Sequence, residues 1–503
     1  MIRMRRSPGR VRRIAYGLAL LLTACSLPVT ASGTNLQWLD ALRELDRNHA
    51  RVSALVVKLD DLRTIAALNP DRPLIPASVS KLFVSAGALK QFCPDHRFVT
   101  RFGTTGTMTD GVLHGDLVFV GGGDPALDTQ DLRSLVLRLK AAGVRRVTGS
   151  LILDNGLFGP LSCTIKDRCE ARTRASHSYS APLSSVGVDF STVEVTVYPG
   201  SETGDEARAT LTPAGLPGYI IDNQVTTGGP NARPRLSAWR ESIDGRDILH
   251  LRGEVPANGG HYRFYRAAGN AVVHSRRVLE TLLADAQIEV EGKATVRTVD
   301  ETKLSTLAAI RSDRLDQMLI AMQSFSNNYM ADTLTLDIAA ARGPGSLTLP
   351  RAAEQLEQLA RQAILETYPK HSSEFTAPFL TSGSGLSVDG RLSARHVIAL
   401  LKHMYHDNAL FPAFYGTMPV PISAVSSTLK HGNEQWLTRI VAKTGTLTEP
   451  MSVRSLAGYF RFRNGDFGAF AIIINGTEKR PIIGFHSSVT AYQKDIESIL
   501  AGH

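Results

Sequence analysis

Ser78-Val79-Ser80-Lys81 sets a hydroxyl three residues ahead of an amine. If a helix begins here, residues i and i+3 share a face, so the Lys81 amine lies beside the Ser78 hydroxyl. A serine is a weak nucleophile until an adjacent base takes its proton. A lysine can be that base once burial or nearby positive charge lowers its pKa. The helix N-terminus would also aim the Ser78 N–H at a developing anion. Alone the pattern carries little weight, because most such pairs are exposed helix neighbours. Ser427-Thr428-Leu429-Lys430 repeats it in a turn-rich stretch, and that copy reads as chance.

Two further motifs give the first its meaning. Ser326-Asn327-Asn328 lies between two helical segments. A hydroxyl there can relay a proton, and an amide can donate and accept at once. Helix capping is the competing use, since Ser and Asn are favoured caps. Lys443-Thr444-Gly445 ends an apolar run that reads as a strand. Lys443 and Thr444 offer a charge and a hydroxyl to a carboxylate. Gly445 lets another backbone approach, although a protective edge lysine would look the same.

The elements that must hold these residues are legible in part. Leu36 to Leu45 is helical by its apolar spacing, and Val52 to Leu59 and Thr64 to Leu68 are extended. Pro76 suits the start of a helix that continues through Ser78 to Leu89. From about residue 95 to 300 glycines are frequent and short strands recur: Leu117 to Val120, Ser150 to Leu153, Val193 to Val197 and Ile248 to Leu251. One helix, Leu132 to Ala142, interrupts them. Helices return at Leu315 to Gln323, Tyr329 to Ala341 and Ala352 to Leu365. Arg439 to Lys443 precedes a hairpin, Ser455 to Phe462 and Phe467 to Ile474, turned at Asn464-Gly465. A final helix runs from Ser487 to Leu500. The pattern is α+β: an antiparallel sheet flanked by helices, built from residues 35–95 and 301–503, with one or two β-rich domains inserted over 96–300.

Residues 1–34 read as an export segment. Six arginines within the first 13 residues precede an apolar run, Ile14 to Ala24, about half the ~20 residues of a bilayer span. Leu22-Thr23-Ala24-Cys25 has the form of a lipidation site at Cys25, and Val29-Thr30-Ala31 that of an ordinary cleavage site. Both remain open, so the expected location is the periplasm or cell envelope, soluble or lipid-anchored. Setting those arginines aside brings the formal charge from +9 to about +3, which argues against a nucleic-acid partner. Cys163 and Cys169 are spaced to pair in an oxidising compartment, which leaves Cys93 as a buried free thiol. No metal ligand spacing, P-loop or three-glycine dinucleotide loop is present, so neither metal nor organic cofactor is expected.

In this order and spacing the three motifs resemble the penicillin-recognising serine enzymes. The 248 residues between Ser78 and Ser326 resemble the large insertion of the class C low-molecular-mass penicillin-binding proteins, the peptidase S13 family. Gly123-Asp124-Pro125, Ser180-Ala181-Pro182 and Gly383-Ser384-Gly385-Leu386-Ser387 fit the same pattern. The resemblance implies a β-lactamase-like fold and a D-alanyl-D-alanine carboxypeptidase and endopeptidase acting on peptidoglycan peptides and acylated by β-lactams. It implies Ser78 as nucleophile, Lys81 as its base, Ser326 and Lys443 as proton relay, and Asn328 as the orienting amide. Thr444, Gly445 and Thr446 would hold the substrate, with the Ser78 and Thr446 N–H groups as oxyanion donors. Asp154 and Phe158 match positions that approach the stem-peptide side chain; a turn aspartate at a strand end is the other reading of Asp154. Ser382 and Val388 depart from residues frequent in the family. A catalytically weak peptidoglycan-binding protein, or a β-lactamase or esterase on the same scaffold, are the competing readings.

Overall fold

The computed structural model describes residues 38–48, 50–161, 177–343 and 347–503. Cys25, Cys163 and Cys169 lie outside the described residues. Chain order begins with α1 (Asp40–Arg47), β1 (Arg51–Lys58) and β2 (Thr64–Leu68), then a 3₁₀ turn over Ala77–Ser80 that runs into α2 (Lys81–Phe92). After a long strand-rich stretch come α3 (Leu315–Phe325) and α4 (Asn328–Ala340). The chain closes with β3 (Ile440–Leu447), β4 (Val453–Arg461), β5 (Phe467–Asn475) and α5 (Phe485–Gly502).

The central sheet has the order β3-β4-β5-β1-β2 and is antiparallel throughout. Its alternating side chains explain why it is covered twice. Leu55, Val57, Ala469, Ala471 and Ile473 face one core, shared with α2, α3 and α4. Val52, Ala54, Val56, Phe470, Ile472 and Ile474 face the other, closed by α1 and α5. Strands apolar on both faces stay buried on both. Asp495 of α5 accepts from the Ala41 and Leu42 N–H groups, capping the first turn of α1.

The stretch between them is strand-rich, as expected, and carries its own core. Strands Leu117–Val120 and Leu151–Asp154 are parallel neighbours joined through the helix Thr129–Ala141. Two findings differ from expectation. Ser305–Arg311 pairs with Val99–Thr104, so this sheet continues past residue 300. A second helix, Ala271–Asp285, packs here with His274 and Arg277 buried. Val278, Leu279, Leu282 and Leu283 keep a helical spacing along its inner face, beside the buried polar residues. Arg277 approaches Asp247 at 3.5 Å, which satisfies that buried charge.

Cys93 is exposed rather than buried. It ends α2 with φ 66°, turning its side chain away from the helix face that precedes it. Ser427–Lys430 forms one short helical turn with Ser427 and Lys430 exposed, so this second serine–lysine pair shares no buried environment.

Candidate active site

The approach to Ser78 is clamped before the residue itself is reached. Ile75 N–H donates to Asn475 Oδ1 at 2.8 Å, and Asn475 Nδ2 donates back to the Ile75 carbonyl at 3.0 Å. Ser455 Oγ donates to the Pro76 carbonyl at 2.7 Å. Ala77 then takes φ 47°, sparsely populated for a residue with a Cβ and held by these contacts. The serine–lysine turn is 3₁₀ rather than α. In that geometry residues i and i+3 eclipse, which aligns the two side chains better than an α-helix would.

Lys81 is fully buried and its Nζ meets three oxygens: Ser78 Oγ at 2.9 Å, Asn328 Oδ1 at 2.8 Å and the Ser384 carbonyl at 2.7 Å. The Ser384 N–H donates to the buried carboxylate of Asp332 at 2.8 Å, fixing the loop that presents its carbonyl. Gly385 follows with φ 70°, and a side chain there would overlap the Ala77 carbonyl oxygen. Gln323 of α3 donates to the Lys81 carbonyl at 3.0 Å and to Ser85 Oγ at 2.7 Å.

The Ser-x-Asn motif forms the corner between α3 and α4. Ser326 ends α3 in the left-handed region at φ 53°. Asn327 caps α4 by accepting from the Met330 N–H at 3.1 Å. Capping therefore falls to the middle residue, which leaves Ser326 and Asn328 free for other partners. Asn328 Nδ2 donates to the Tyr179 carbonyl at 3.2 Å, so both ends of its amide are fixed.

Lys443 stands on β3, an edge strand of the sheet. Its Nζ donates to Ser326 Oγ at 3.0 Å and to the Thr444 carbonyl at 2.8 Å. Burial pushes its pKa down to about 7. Thr446 is exposed and Thr444 half-buried on the same strand. Gly445 packs against the nucleophile: a methyl group there would lie 2.9 Å from the Ser78 amide nitrogen and 3.1 Å from the Pro76 carbonyl oxygen.

Ser78, Lys81, Ser326, Asn328 and Lys443 thus meet in one cleft with the strand of Thr444, Gly445 and Thr446 along it. Asp154 and Phe158 are both buried. Asp154 is buried and accepts from the Gly156 N–H at 2.9 Å, as a strand-end turn aspartate does; burial raises its pKa. Phe158 is fully buried against Leu336 and Ala340, in the C-terminal half of α4, and against Ala352. The backbone carbonyls of Ser384 and Tyr179, and the Asp332 carboxylate that holds the Ser384 N–H, carry no mark in the motifs. The Gly383 to Ser387 and Ser180 to Pro182 stretches were their only sequence signal.

A hydroxyl and a buried amine in hydrogen-bond contact, beside an edge strand that offers N–H groups, define a serine acyl-transfer hydrolase. The chain belongs to the D-Ala-D-Ala carboxypeptidase 3 (S13) family, whose model matches residues 37–484. It is a serine-type D-Ala-D-Ala carboxypeptidase of the penicillin-binding class. A D-alanyl-D-alanine carboxypeptidase of Actinomadura sp. (strain R39) is 28% identical, with 94% of this chain and 89% of that protein covered. Penicillin binding protein 4 (dacB) from Haemophilus influenzae shares the fold with a TM-score of 0.74 at 20% identity, covering 91% of this chain and 99% of the other. A predatory peptidoglycan endopeptidase from Bdellovibrio bacteriovorus matches with a TM-score of 0.50 at 15% identity over 90% of this chain and 93% of the other.

Proposed function

We propose that the protein hydrolyses D-alanyl peptide bonds of peptidoglycan, both at stem-peptide ends and in cross-links, through an acyl-enzyme on Ser78. The observation that carries this is the 2.9 Å contact between Lys81 Nζ and Ser78 Oγ. When the amine is neutral it keeps two donors, which Asn328 Oδ1 and the Ser384 carbonyl take. Its lone pair is then left for the Ser78 proton. Attack on the carbonyl would place the oxyanion between the Ser78 and Thr446 N–H groups, each such donor being worth about 3–4 kcal/mol elsewhere. Lys443 and Ser326 would pass a proton to the departing amine, and Lys443, Thr444 and Thr446 would hold the terminal carboxylate. The cell envelope outside the cytoplasmic membrane is where this substrate lies. Among the described residues no helix is long and apolar enough to cross a membrane. Digestion of a muropeptide mixture followed by mass analysis tests the reading: loss of terminal D-Ala and scission of cross-links are both expected, and intact muropeptides would sink it.

Two results follow from Lys443 and Gly445. The free Lys443 amine, with its pKa near 7, is mostly neutral at pH 8. A bound carboxylate favours the charged form and raises that pKa, so binding a D-Ala-D-Ala peptide to Ser78→Ala protein at pH 8 is expected to take up about one proton. Calorimetry in two buffers of different ionisation enthalpy reads this; no uptake, or release, would place the carboxylate elsewhere. Gly445→Ala is expected to slow acylation by a fluorescent penicillin about 100-fold, because its methyl group overlaps Ser455 Oγ, which holds the Pro76 carbonyl, and crowds the Ser78 amide nitrogen. An unchanged second-order rate constant would contradict that packing.

A further inference from the structure

Asn328 is held from two regions of the chain. Its Oδ1 accepts from Lys81 Nζ at 2.8 Å, and its Nδ2 donates to the Tyr179 carbonyl at 3.2 Å. Tyr179 belongs to the strand-rich stretch, which carries its own core. The direction of the amide that meets Lys81 therefore depends on how that stretch lies against α4. The residue after Asn328, Tyr329, is where the two pack.

Tyr329 is 4% exposed, and its ring shares a small core with Ala181 and Ala267. Ala181 follows closely on the Tyr179 carbonyl that Asn328 holds. Phe190 meets the ring edge-on, with centroids 6.0 Å apart and planes at 68°. Gly187 lies at the tip of the ring. A methyl group on Gly187 would stand 1.8 Å from Tyr329 Oη and 3.1 Å from Cζ, so the close approach needs glycine. Tyr329 Oη is buried with no hydrogen-bond partner among the described residues. Shape rather than the hydroxyl holds the ring.

Gly187 has little room to retreat. Val186 and Val188 on either side of it are fully buried in the strand-rich core. Its N–H donates to the Ser184 carbonyl at 3.2 Å. Asp189 accepts from the Thr129 N–H at 2.9 Å, at the start of the helix Thr129–Ala141. Asp189, Phe190 and Ser191 then follow one another in the left-handed region, at φ 52°, 55° and 52°. Such residues are costly and persist only where their surroundings fix them.

We infer that Tyr329, seated on Gly187, is a positioning residue through which the strand-rich stretch sets the Asn328 amide and, with it, the Lys81 amine. The inference rests on the function proposed above and adds residues remote from the motifs to its machinery.

Acylation by a fluorescent penicillin tests this, because two readouts separate. The label bound at long times counts folded sites, and the rate constant describes each site that folds. Gly187→Ala is expected to lower the rate constant by about tenfold or more with the stoichiometry kept, since its methyl group drives Tyr329 and the adjoining Asn328 out of line. Tyr329→Phe in the same chain removes the overlapping oxygen and should return the rate to within about threefold of wild type. Gly187→Ala at the wild-type rate, or a double variant as slow as Gly187→Ala alone, would overturn the positioning role. If Gly187→Ala does not fold, Tyr329→Leu decides in its place. That variant loosens the contact with Ala181 and should slow each labelled site about tenfold; a wild-type rate would overturn the role. Wild-type protein that takes up no label removes the proposed function and the positioning role together. Variants that label at the wild-type rate remove the positioning role alone.

Discussion

A Ser78→Ala protein is expected to take up no labelled penicillin and to lose roughly 10⁶-fold in peptidase kcat, as removal of a serine nucleophile does elsewhere. The substitution deletes one half-buried oxygen from a backbone clamped by Asn475 and Ser455, so the cleft should stay in place. Peptide binding should therefore survive, which makes this variant the right one for the proton-uptake measurement. Labelling of Ser78→Ala at wild-type stoichiometry would show that another residue is acylated.

Lys81→Met should come close to the same loss in rate by a different route. Methionine preserves most of the buried stem but has no basic atom. The Ser78 hydroxyl then has no acceptor for its proton, and acylation by penicillin is expected to fall roughly 10⁴-fold. Removing the amine also orphans Asn328 Oδ1 and the Ser384 carbonyl, so a stability loss of about 1–3 kcal/mol is expected. A thermal melt separates that loss from the kinetic one. Acylation within tenfold of wild type would mean that the Ser78 proton leaves by another path.

Residue type marks the side chains of the candidate site, and nothing in residue type marks its backbone. Ser78, Lys81, Ser326, Asn328 and Lys443 each sit in a motif whose residue types announce a chemistry, and the structure brings them into contact. The carbonyls of Ser384 and Tyr179 carry no such mark, because every residue has one. Only the folded path decides which carbonyl reaches Lys81 or Asn328. The hairpin at Asn464-Gly465 and the apolar helices were legible because turn chemistry and period agree there. The helix Ala271–Asp285 went unread although Val278, Leu279, Leu282 and Leu283 keep a helical spacing. Cys93 was misplaced because residue type suggests burial, while the backbone at φ 66° decides otherwise. Asp154 was open between two uses in the sequence, and one of its carboxylate oxygens accepts from the Gly156 N–H at the strand-end turn.

The pairing of β1 with β5 has a consequence in time. Arg51 sits opposite Asn475, 424 residues later, and the same Asn475 clamps the approach to the nucleophile. Contacts of such long sequence separation form late, after a large loop has closed. A ribosome-bound or half-threaded chain already contains Ser78 and Lys81, yet lacks the edge against which a peptide must be held. A wall-cutting enzyme built this way arms itself only when nearly its whole length has emerged.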